Sequence, residues 1–147
     1  MLFRSRRSGE PVLVNFSGAL HERKAPSGVV ANPGYSPYEQ YSGETDLQGP
    51  WSDVYALGAV MYLAVAGSRP PDATSRVIAD RALPSRDVAH SSYRADFLLA
   101  IDQALKVNPA DRPQSIPEWR KMLLGVNGNN PASSRLSWIA GLAKRTK

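Results

Sequence analysis

At 147 residues with 42% hydrophobic content, the chain is long enough for one buried core and short for two. The absence of cysteine excludes a disulfide scaffold, a thiolate metal site and a cysteine nucleophile, and it suits a reducing compartment, so a cytoplasmic setting is expected. The formal charge of +5 gathers at the two ends, in Arg4, Arg6 and Arg7 and again in Arg135, Lys144, Arg145 and Lys147; no aromatic stacking platform accompanies the first cluster, and nucleic acid is not expected as a partner.

From the start, Leu2 and Phe3 precede a Ser8-Gly9-Glu10 turn signal and the run PVLVNF, which predicts a β-hairpin within 1–16 whose second strand covers 12–14. Residues 17–31 show no sustained period and carry Gly, Pro and charges, so they read as a loop. Gly34, Pro37, Gly43, Gly49 and Pro50 then mark successive turns. After them comes a helix over 51–66 with scarcely any polar face, begun by Ser52 or Asp53 accepting from its free amides and stopped by Gly67. A helix apolar all round is stabilised only when other elements cover it on every side. The run is too short to span a bilayer, and the N-terminal MLFRSRRSGE lacks the apolar core of a signal peptide.

Arg69-Pro70-Pro71-Asp72 forms a rigid connector, Asp72 or Thr74 caps a short helix ending near Asp80, and a second Pro-containing loop runs to about Ser92. Leu98, Ile101 and Leu105 share one helical face, which predicts a helix from about Tyr93 to Lys106. Ser115 and Glu118 have capping-box spacing, and Trp119, Met122 and Leu123 supply the buried stripe of the last of the helices in 93–124. Residues 125–147 read as a linker and a basic tail, in which Leu136, Trp138, Ile139 and Leu142 make a short amphipathic turn, marginal unless docked. His21 and His90 are isolated and lack metal-ligand spacing, so no metal site is expected. Asp72, Asp80 and Asp87 are scattered carboxylates that form no acid–base dyad.

The segments PVLVNF, ANPGYSPYEQY, GPWSDVYALGAVMYLAVAG, PPDA and NPADRPQS occur in the order and spacing seen after the catalytic loop of bacterial-type serine/threonine protein kinases. Over about 2–124 the chain resembles the C-terminal part of a kinase large lobe. The resemblance implies a mainly α fold, a kinase-like large-lobe fragment over 1–124 with a short N-terminal β-hairpin, and makes 17–39 the activation-segment equivalent. It puts Glu39 in the place of the Ala-Pro-Glu glutamate, whose partner is an arginine near the domain's end, here Arg112 in Asp111-Arg112-Pro113. Asp53 matches the aspartate that normally holds the catalytic loop's backbone; read without the family it is a helix-start carboxylate. Trp51, Tyr41 and Gly58 enter as packing and structural residues, and Ser17, Ser27 and Ser36 as candidate regulatory phosphorylation positions that otherwise read as turn residues.

The resemblance also implies departures in the chemistry. Asn15-Phe16-Ser17 stands where Asp-Phe-Gly belongs, so Asn15 offers a neutral amide in the degenerate position of the magnesium-binding carboxylate. Ser17 lacks the freedom of the glycine it replaces, and Asn32 stands where a threonine is usual. No His-Arg-Asp loop, glycine-rich nucleotide loop or lysine strand occurs, so the chain is expected to begin just downstream of the catalytic loop and to bind no ATP or magnesium by itself. The expectation is a truncated or degenerate pseudokinase, inactive alone, that binds a protein partner through an exposed apolar face of helix 51–66 and the activation-segment surface. The alternatives are part of an active ATP-dependent serine/threonine kinase, completed by an upstream segment or another chain, and a basic module whose tails contact nucleic acid or membrane.

Overall fold

The computed structural model describes residues 2–5, 11–14, 31–42 and 45–125. The expectations for Asn15, Ser17, Ser27 and the tail beyond Gly125 lie outside the described residues. Strands β1 (Leu2–Ser5) and β2 (Pro11–Val14) pair antiparallel with Leu2 opposite Val14 and Ser5 opposite Pro11, which is the expected hairpin. The rest is helical: α1 (Tyr38–Ser42), α2 (Pro50–Ala66), α3 (Ala73–Ile78), α4 (Ser85–Val88), α5 (Ala95–Ala104) and α6 (Ile116–Leu124), with single 3₁₀ turns at Thr45–Leu47 and Pro109–Asp111.

Helix α2 is the hub. One set of its residues, Tyr55, Ala59, Tyr62, Val65 and Ala66, packs with Ala73 and with Leu98, Ile101 and Leu105 around α5. Val54 turns to a second cluster with Ala100, Ala104 and Trp119, where α6 closes over α5. Gly58 lets α2 and α5 approach closely, since a Cβ built there would lie 2.8 Å from the Ala104 Cβ. The Trp119 indole N–H donates to the Ala100 carbonyl at 2.8 Å, so the largest side chain of α6 enters the core with its polar atom satisfied.

Several expectations are corrected. Helix α2 is capped at Gly49 and not at Ser52 or Asp53: Pro50 needs no amide partner at the first helical position, and the Ser52 hydroxyl instead accepts from the Gly49 N–H at 3.2 Å. Its end is as expected, with Gly67 at φ 70° and its N–H donating to the Leu63 carbonyl. The loop before Ser92 contains α4, and α5 is shorter than the 93–106 expected. Ser115 caps α6 by accepting from the Glu118 N–H, but the Glu118 carboxylate accepts from Gln114 N–H, one residue upstream of the reciprocal box position.

The exposed apolar face expected on helix 51–66 is also corrected. No large apolar residue of α2 is exposed; Leu57, Val60, Met61 and Leu63 are half-buried, and Leu57 and Met61, like Met122 and Leu123 of α6, pack against the cluster of Val54, Ala100, Ala104 and Trp119. The exposed large apolar side chains lie elsewhere, among them Val77 and Ile78 at the end of α3 and Leu83 after it.

Candidate functional site

The residues 32–42 fold as a turn followed by α1, and this unit is held onto α2 from beneath. Asn32 begins the turn: its carbonyl accepts from the N–H groups of Tyr35 and Ser36, while its own N–H donates to the Ser36 hydroxyl at 2.9 Å. Ser36 is thereby buried, its oxygen engaged within the turn and its hydroxyl withdrawn from solvent. Gly34 takes φ 81°, and a Cβ there would press on the Pro70 carbonyl at 3.1 Å.

Glu39 and Arg112, expected as a pair, meet as a fork on a fork: Nη1 donates to Oε1 at 2.6 Å and Nη2 to Oε2 at 3.1 Å, and neither side chain has any solvent exposure (0%). The Ser52 hydroxyl donates to Glu39 Oε1 at 2.8 Å. Two further Arg112 donors go to the carbonyls of Lys106 (2.7 Å) and Val107 (2.8 Å), and its guanidinium carbon lies 4.8 Å from the centre of the Tyr55 ring. The Tyr55 hydroxyl accepts from Arg76 Nη1 at 3.2 Å, and Arg76 in turn grips Asp80 through two further bonds. Burial raises the Tyr55 pKa, and the Arg76 bond holds the Asp80 carboxyl below the ordinary range.

Asp72 is the centre that the sequence did not reveal. Its Oδ1 accepts from the Gly34 N–H at 3.3 Å and from the Tyr41 hydroxyl at 2.8 Å, and its Oδ2 accepts from the Thr74 hydroxyl. These bonds lower the Asp72 pKa, the Thr74 hydroxyl foremost, whereas burial and then the neighbouring carboxylate push Tyr41 up to about 12. Asp72 stands at the N-cap position of α3 as expected, but its side chain makes no capping bond there, and its reach to a glycine amide and a phenol leaves no sequence pattern.

Trp51 folds back over Gly49 and donates from its indole N–H to the Leu47 carbonyl at 2.9 Å. Asp53 lies exposed in the first turn of α2; partial desolvation raises its pKa, and among the described residues its carboxylate has no hydrogen-bond partner. Among the described residues no group of three or more His, Asp or Glu side chains is placed to hold a metal ion, and no helix is long and apolar enough to cross a membrane.

No protein-family model matches the chain. Curated relatives do. Serine/threonine-protein kinase PknK of Mycobacterium tuberculosis is 32% identical over 134 residues, 85% of this chain, and PknK of Mycobacterium bovis is 31% identical over the same length. The chain spans 12% of the length of these relatives. The solved structure of PpkA-294 in its apo form superposes with a TM-score of 0.67 at 36% identity, covering 82% of this chain and 43% of that one. The fold is that of part of a protein-kinase large lobe. The chain is homologous to a serine/threonine protein kinase over most of its length, and α2, α5 and α6 are the kinase-like lobe's core. The Glu39–Arg112 fork joins α1 to the turn before α6, across 73 residues of sequence.

Proposed function

We propose that this 147-residue chain is a serine/threonine kinase-like large-lobe platform that presents a protein-binding surface and does not itself transfer phosphate. The buried Glu39–Arg112 fork carries the reading, because an ion pair with no exposure holds α1 firmly while Tyr38, next to Glu39, stays 40% exposed. A rigid base beneath an exposed aromatic suits recognition. The surface lies over the turn and α1; the large apolar residues of α2 are buried or half-buried. Phosphoryl transfer needs charge-neutralising groups around the phosphates and a base for the acceptor, and the sequence holds neither a His-Arg-Asp loop nor a glycine-rich nucleotide loop. The purified chain with Mg-ATP and a generic protein substrate is expected to give no phosphate transfer and no thermal shift; turnover above background by this chain alone would refute the reading.

A second reading, part of an active kinase completed by another segment or chain, is favoured by Asp53. An exposed carboxylate at the start of α2, without a hydrogen-bond partner among the described residues, is suited to accept amides of a catalytic loop. Adding the corresponding catalytic-loop and nucleotide-lobe segment of PknK in trans and assaying phosphate transfer separates the two readings. Activity that Asp53→Asn abolishes would select the second.

A further inference from the structure

The Glu39–Arg112 fork pins α1 from below, but it does not touch the turn at 32–36, which is the other half of the presented surface. That turn is held from the side by the connector after α2. Arg69 Nη1 reaches the Pro33 carbonyl at 3.4 Å, Pro70 O and the Arg69 side chain face the bare Cα of Gly34, and Asp72 takes the Gly34 N–H. The same Asp72 oxygen takes the hydroxyl of Tyr41, from α1, so one carboxylate ties together the turn, α1 and the start of α3. Thr74 occupies its other oxygen and fixes the carboxylate's orientation.

We infer that Asp72 is a positioning residue: its carboxylate sets where the turn 32–36 lies relative to α1, and so fixes the shape of the surface offered to a partner. The inference rests on the reading of that surface as a recognition platform. The physical reason is economy of constraint. Gly34 sits in a left-handed conformation that its own sequence imposes weakly, because glycine adopts many others at similar energy. A charged acceptor on its amide selects one of them. Without that acceptor the turn retains its internal bonds through Asn32 but loses its tie to Tyr41.

The test is amide hydrogen exchange on the full chain. Asp72→Ala is expected to quicken exchange at Gly34 roughly tenfold more than at Tyr55 and Ala59 in α2. Asp72→Asn, which keeps an acceptor oxygen, is expected to restore most of the protection at Gly34. An equal acceleration at all three positions would make Asp72 merely structural and overturn the inference, as would an Asp72→Asn variant as fast as Asp72→Ala. Should Asp72→Ala fail to fold, NMR titration of Tyr41 decides: its pKa is expected to fall part of the way from about 12 toward 10.0 in Asp72→Asn, and an unchanged titration overturns the proposal. These measurements need neither nucleotide nor partner. They therefore succeed or fail separately from the phosphate-transfer assay.

Discussion

Arg112 uses its guanidinium as a lysine could not: four hydrogen bonds run to two carboxylate oxygens and two carbonyls, while its face lies over an aromatic ring. Removing either partner of the fork leaves an uncompensated charge in a site without solvent. Glu39→Ala and Arg112→Ala are each expected to cost about 3–5 kcal/mol in urea denaturation, with the double variant costing well under the sum. Arg112→Lys keeps the charge but loses the fork, and should still cost about 2 kcal/mol or more. Strictly additive losses in the double variant would dissolve the pair as an energetic unit. This fork was legible in the sequence because glutamate and arginine occur in recognisable short motifs and have complementary charge. Asp72, Gly34 and Tyr41 were not, since an amide and a phenol advertise no charge and each residue is ordinary in its own segment.

At the scale of elements, the α2–α5 crossing is set by a missing side chain. Alanine at position 58 would gain about 1 kcal/mol in helix propensity over glycine, yet its Cβ would lie 2.8 Å from that of Ala104, which has no flexible end to move aside. Overpacking should prevail, so Gly58→Ala is expected to destabilise by about 1–3 kcal/mol, and Ala104→Gly in the same chain should recover part of the loss; thermal unfolding of the two variants beside the unsubstituted chain checks both. Periodicity made α5 and α6 readable, because each repeats its apolar positions on one face, whereas α2 was readable as a long apolar run stopped by Gly67. Helices of four or five residues, α1 and α4, carry too few positions to show a period. The cover of α2 was misjudged for another reason. Trp119, Met122 and Leu123 were seen as the stripe of α6, but nothing in one helix says how much of another it will shield.

For the whole molecule, the titratable groups bound stability from both sides of neutral pH. Asp72 and Asp80 have folded pKa values below the ordinary 3.8, so the unfolded chain binds protons first on acidification. Their contribution is present above about 3.8 and is lost as the pH falls below it toward the depressed folded values. Asp53, raised above 3.8, works in the opposite sense: its contribution is present below 3.8 and is lost as the pH rises through its folded pKa, which opposes the acid limb. On the alkaline side, Tyr41 is raised from 10.0 to about 12, and burial raises Tyr55 and Tyr62 as well. A raised tyrosine keeps its proton longer when folded, so stability is fully present below 10 and declines as the pH climbs toward about 12. Denaturant midpoints across the pH range should show both limbs. In Tyr41→Phe the alkaline decline should be shallower than in the unsubstituted chain, because one phenol no longer has to ionise beside a carboxylate, while the acid limb stays largely in place through Asp80. An alkaline limb of the same slope in both chains would mean that the Tyr41–Asp72 contact does not persist in solution.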